Sequence, residues 1–150
     1  MDAKTKSILQ KFDEPNCWET PSQFDYIQLK RKVEELADAL NSYFKQDFEI
    51  DDQIQDASYY FDIMIPSELV YSPKPDLCIS IRISNFGNLA TLTFQNEYSW
   101  QVRQDLIRLI EAHHFTFMDE DDLMTPYDGI LLAQNGDPNY NWFSRYFDYI

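Results

Sequence analysis

Residues 77–94 read LCISIRISNFGNLATLTF, and this stretch decides the fold. Leu77, Ile79, Ile81 and Ile83 alternate with Cys78, Ser80, Arg82 and Ser84. A period of two is the mark of a strand with one buried face. Ser84 to Asn88 (SNFGN) is turn chemistry, and Leu89 to Phe94 returns as a Thr-rich strand. The two runs are therefore predicted to pair as an antiparallel hairpin. Upstream, Tyr59, Phe61, Ile63 and Ile65 repeat the alternation, and Phe48 to Ile54 reads as a shorter edge strand. Phe115 to Met118 adds one more short strand. The expectation is an antiparallel sheet of about four to five strands.

The flanks change period. Leu29, Val33, Leu36, Leu40 and Phe44 recur every three or four residues, which is one face of a helix. Lys30, Arg31, Glu34, Glu35 and Asp38 occupy its other face. Pro21 and Ser22, with Asp25 three positions on, read as its start, so Ser22 is the expected cap. A second helix is predicted to start between Asn96 and Ser99, with Val102, Leu106, Leu109, Ile110 and His113 on one face. Two amphipathic helices and a one-sided sheet satisfy each other as a two-layer α+β sandwich, with both helices on one sheet face. The 150 residues suffice for a single domain spanning 1–150. Within it, residues 1–21 read as an N-terminal turn and loop. Ile130 to Ala133 is a short apolar piece, Gln134 to Asn139 a turn, and 140–150 an aromatic tail.

Composition narrows the function classes. Against 26 Asp and Glu stand 12 Lys and Arg, for a net charge of −14 and a pI near 4.3. Such a surface repels phosphate backbones and anionic membranes and attracts a basic partner protein. No nucleic-acid or membrane partner is expected. Between Arg108 and Arg145 there is no basic residue, while Asp119, Glu120, Asp121 and Asp122 follow one another directly. No apolar run nears the roughly 18 residues of a membrane span, and the start lacks an apolar signal core, so a cytoplasmic location is expected. Cys17 and Cys78 stand far apart and outside any C-x-x-C spacing, which points to free thiols.

Catalytic signatures are missing from the chain. It contains no H-E-x-x-H, G-x-S-x-G, phosphate-binding loop or dinucleotide fingerprint, and only three glycines. The acidic run lacks the ligand spacing of a calcium loop. His113 and His114 are adjacent, so on a helix they diverge by about 100° and do not converge on one ion. No catalytic residue, metal ligand or cofactor is assigned. A small-molecule or metal-dependent enzyme of unknown reaction, its site built from scattered carboxylates with His113 or His114, is the alternative, and a homo-oligomeric structural domain is a third.

The end of the chain, YNWFSRYFDYI, crowds Trp142, Phe143, Tyr146, Phe147 and Tyr149 around Arg145. Two readings stay open for it. It packs on the domain, with Trp142, Phe143 and Phe147 covering apolar sheet surface and Arg145 stacked or paired. Or it exposes aromatic anchors, the residue types that dominate binding surfaces. On the second reading the partner-binding set is Asp119, Glu120, Asp121 and Asp122 for steering, with Tyr127, Trp142 and Tyr146 as anchors.

Small size, strong acidity, an α+β layout, abundant aromatics and the lack of a catalytic motif together resemble the immunity proteins of bacterial toxin systems. The resemblance is to a class and carries no residue roles. It implies a non-catalytic binding protein that neutralises a basic toxin by charge mimicry. An acidic surface would occupy the Lys- and Arg-lined site with which a nuclease toxin holds phosphates. Complementary charge would speed association, and aromatic anchors would slow release.

Overall fold

The computed structural model describes residues 1–131 and 136–150. The predicted apolar piece Ile130 to Ala133 and the turn Gln134 to Asn139 therefore lie partly outside the described residues. The elements run α1 (Ala3–Lys11), α2 (Tyr26–Phe44), β1 (Ile50–Asp51), β2 (Tyr59–Met64), β3 (Ser80–Ser84), β4 (Leu89–Leu92), α3 (Trp100–Ala112), β5 (Thr116–Phe117), α4 (Glu120–Leu123) and α5 (Trp142–Phe147). The fold is α+β. Its five strands lie in sequence order, β1-β2-β3-β4-β5.

The expected hairpin is β3–β4, with Ile81 opposite Leu92 and Ile83 opposite Ala90. One correction concerns the last strand. β5 pairs with β4 in parallel, through Leu89–Thr116 and Ala90–Phe117, so the sheet is mixed rather than antiparallel throughout. The cause is α3, which lies between the two strands in sequence. A helical crossover returns the chain in the same direction, as only a tight turn would reverse it. The edge strand expected over Phe48–Ile54 shrinks to Ile50–Asp51, because the Asp51 carboxylate accepts from the Gln53 amide and turns the chain out of the ladder.

α2 is capped by Asp25, whose carboxylate accepts from Gln28 N at 3.0 Å, and not by Ser22. The Ser22 amide instead donates to Glu14 Oε2. α2 ends at Lys45, which adopts a left-handed conformation (φ 56°) and returns its N–H to Asn41 O. α3 starts behind Ser99, whose hydroxyl accepts from Val102 N. Leu29, Val33, Leu36 and Leu40 of α2 and Leu106, Leu109 and Ile110 of α3 pack on Phe61, Ile63, Ile81, Ile83, Ala90 and Leu92. Both helices thus cover one sheet face, as the periodicities predict.

The other face carries Asp62, Ser80, Arg82, Ser84 and Thr91, and it too is covered. Arg82 spans to its cross-strand neighbour Asp62 with two bonds of 3.0 and 3.1 Å, and donates a third to Phe147 O. A register shift between Tyr59 and Phe61 moves Tyr59 onto this face, where the Arg82 guanidinium lies 4.0 Å from its ring centre. A second core forms here from both ends of the chain: Leu9, Phe86, Leu89, Met118, Leu123, Tyr127, Trp142, Tyr146 and Phe147. The N-terminal stretch is more than a turn and loop, since α1 is a full helix that contributes Leu9.

Asp13 fastens this second core. Its carboxylate accepts from Arg145 Nε at 2.8 Å, the Tyr127 hydroxyl at 2.7 Å and Ile130 N at 2.9 Å. Arg145 also donates to Cys17 O and lies over the rings of Phe86 and Tyr146. The middle of the tail is therefore an interior helix, with Trp142, Arg145, Tyr146 and Phe147 buried, while Tyr149 and Ile150 after it are exposed.

Candidate functional site

The acidic run Asp119–Asp122 is not an unstructured loop. Asp119 caps α4 through Asp121 N at 2.9 Å, and Leu123 is the buried side chain that ties the short helix to the second core. Acids in a first helical turn face the positive end of the backbone dipole, so this sequence suits this place. Three of the four carboxylates then take different partners. Asp119 Oδ2 pairs with Arg103 of α3 at 2.6 Å. Glu120 is half-buried and accepts from Phe94 N. Burial pushes its carboxyl above the ordinary range, against the pull of the Phe94 and Gln95 amides. Asp122 lies 3.1 Å from the terminal amine. Asp121 is exposed, and among the described residues its carboxylate has no ion-pair partner.

Beside these acids runs an open groove of about 450 Å³, lined by Tyr71, Gln95, Asn96, Tyr98, Trp100, Arg103, Asp119 and Asp121. Three features of the fold bring its walls together. Val70 bridges to Tyr98, which places Tyr71 beside the start of α3. Ser99 caps α3 and leaves Trp100 on its first turn, off the buried stripe. The parallel return through β5 delivers α4 to the same end of the sheet.

Aromatic rings stand out from this surface. Tyr71 is 71% and Trp100 70% exposed, and Phe94 and Met124 are also exposed. Below them Tyr98 is 3% exposed, and its hydroxyl has no hydrogen-bond partner among the described residues. Burial and the carboxylates of Glu120 and Asp119 raise the Tyr98 phenol well above its ordinary value, partly opposed by Arg103. It therefore stays protonated.

The structure gathers the four predicted acids on one short helix but does not bring the three predicted anchors to them. Tyr127, Trp142 and Tyr146 are interior side chains and are corrected as surface anchors. The Tyr127 hydroxyl both donates to Asp13 and accepts from Leu131 N, and the Tyr146 hydroxyl donates to Leu9 O. Aromatic rings with their hydroxyls bonded inside are core rather than interface. The aromatics at the acidic surface are Trp100 and Tyr71 instead. A signal for Trp100 was present in the sequence, since it precedes and falls outside the stripe of Val102, Leu106, Leu109 and Ile110. Tyr71 carried no such signal, because its place depends on a bridge between two irregular segments.

The two histidines lie apart from this site at the end of α3. His113 Nδ1 is 2.9 Å from Leu109 O, and His114 is exposed with φ 65°. Among the described residues, no group of three metal-ligating side chains converges, both cysteines are free, and no helix is long and apolar enough to cross a membrane. Comparison with known protein families, with characterised proteins and with solved structures finds no match.

Proposed function

We propose that the protein is a non-catalytic binding protein that docks a basic protein partner on the face formed by α4, Tyr71 and Trp100. The observation that carries this reading is the pairing of two large exposed rings with the carboxylates of Asp119 and Asp121 at one groove. Exposed aromatic rings beside polar groups are the kind of anchors that binding surfaces use. Acids steer a basic partner in, and desolvated rings hold it once docked.

The same chemistry suits an immunity protein acting in the bacterial cytoplasm on a toxin that binds nucleic acid. Carboxylates on a rigid helix would stand where phosphates stand in the toxin's site, and Trp100 and Tyr71 would stand where bases stack. The homodimer alternative loses the tail that motivated it, since those rings lie mainly in the second core.

Capture from an extract of the native cells tests the reading, with wild-type protein compared against the double variant Trp100→Ala/Asp121→Asn. Both positions are exposed, so the variant is expected to fold normally. The wild type should retain a basic protein that moderate salt releases, and the variant should not. Equal retention by both would remove this face as the docking site.

A further inference from the structure

The groove beside α4 has a more specific chemistry than general acidity, and the chain itself displays it. Arg103 already seats one guanidinium there. Its Nη2 donates to Asp119 Oδ2 at 2.6 Å, its Nε donates to Gln95 Oε1 at 3.2 Å, and its plane lies 5.7 Å from the Phe117 ring centre. Carboxylate, amide oxygen and ring face are the three groups that a planar, five-donor cation uses together. Next to this occupied set is a second set with corresponding groups: the exposed Asp121 carboxylate, the side chain of Asn96, and the exposed rings of Trp100 and Tyr71.

A second observation points to a ligand. The Tyr98 hydroxyl has no hydrogen-bond partner among the described residues, although the residue lines the groove and is only 3% exposed. Buried polar atoms are nearly always partnered, so a bare phenol oxygen under a polar groove marks a place where a donor arrives. Tyr98 lines the groove together with Arg103, Asp119 and Asp121. The protonated phenol still has oxygen lone pairs that can accept from a guanidinium N–H.

Resting on the basic-partner reading above, we infer that the groove of Tyr71, Asn96, Tyr98, Trp100 and Asp121 is a socket for an arginine side chain of that partner. The guanidinium stacks on Trp100, forks onto Asp121 and lies parallel to Arg103, whose own charge is met by Asp119. Lysine fits less well. Its ammonium is a hydrated point charge that neither stacks as a plane nor bonds a carboxylate in a fork.

The test uses three peptides of equal length, oligoarginine, oligolysine and oligocitrulline. Citrulline keeps the planar shape and loses the charge. Binding is followed by the indole N–H signal of Trp100 in NMR, assigned with Trp100→Phe, and by calorimetry at low salt. Oligoarginine should move that signal and bind on the order of tenfold more tightly than oligolysine. Oligocitrulline should leave the signal in place. Trp100→Ala and Asp121→Asn should each reduce the preference for arginine without changing the melting temperature.

Equal binding of arginine and lysine peptides at Trp100 would overturn the socket and leave the basic-partner reading standing. Binding of citrulline as tight as arginine would overturn the role of Asp121. Tight binding of oligoarginine with no movement of the Trp100 signal would place the basic partner elsewhere and overturn both readings.

Discussion

Arg145→Met removes the cation at the centre of the second core, and the effect can be worked from the contacts. Arg145 is fully buried, with its guanidinium on Asp13 Oδ1 at 2.8 Å and on Cys17 O at 2.8 Å. Methionine fills part of the volume but leaves the Asp13 carboxylate buried without its charge partner. Breaking one side of a buried pair costs about 3–5 kcal/mol. Tyr127 and Ile130 N still donate to Asp13, which favours the lower end. Loss of the guanidinium from the faces of Phe86 and Tyr146 adds to it. For a chain of this length the expected fall in melting temperature is roughly 6–15 °C. The assay is a urea melt of the wild type, Arg145→Met, Asp13→Asn and the double variant. The double should be less damaged than the sum of the singles, because it strands no charge. Additive losses, or a loss under about 1 kcal/mol for Arg145→Met, would show that this pair does not hold the two chain ends together.

Deleting residues 140–150 removes Trp142, Tyr146 and Phe147 at once. Each truncation of such a ring costs about 3–5 kcal/mol, against a total stability of about 5–15 kcal/mol. The deleted protein should be unfolded or aggregated by circular dichroism, and a cooperative melt at the wild-type temperature would refute the packing described. Glu120→Gln should melt above the wild type at neutral pH. Burial raises the folded-state carboxyl, so the native state holds its proton to higher pH than the unfolded chain, and stability falls as pH rises through that window. Melts of both proteins across pH should converge below the ordinary carboxylate range, and a gap that persists there would exclude this cause. Tyr98→Phe should leave the free protein as stable or more stable by up to about 1 kcal/mol, since the hydroxyl it removes is buried and unbonded. A clear loss in a chemical denaturation curve would mean that this hydroxyl has a partner within the fold.

Much of the architecture was legible because it repeats. The alternation of Ile79, Ile81 and Ile83 and the spacing of Leu29, Val33, Leu36 and Leu40 are local signals, and the structure keeps both. The parallel β5 was harder, since two residues, Thr116 and Phe117, hold too little pattern to show direction. The second core was hidden for a different reason. Leu9, Phe86, Leu123 and Trp142 come from four separate stretches, three helices and the β3–β4 turn, so no periodicity within one segment announces them. The bond of Asp13 to Arg145 joins positions 132 residues apart. The acids of the candidate site could be read from composition alone, as an uninterrupted run. Its aromatics could not, because an exposed ring and a buried ring look the same in sequence. The block richest in aromatics proved to be mostly interior, and the most exposed rings at the groove, Tyr71 and Trp100, are dispersed in sequence.

The central claim is that the basic partner covers the surface of α4, Trp100 and Tyr71. Hydrogen exchange of the isolated complex tests it most directly, with the partner recovered by capture at low salt. Amides of Tyr71, Gln95 to Val102 and Asp119 to Met124 should slow on binding, while those at the β1 edge, where Asp51, Asp52 and Asp56 make a second acidic stretch, exchange as in the free protein. Protection confined to that other acidic edge, with the α4 amides unchanged, would contradict the account.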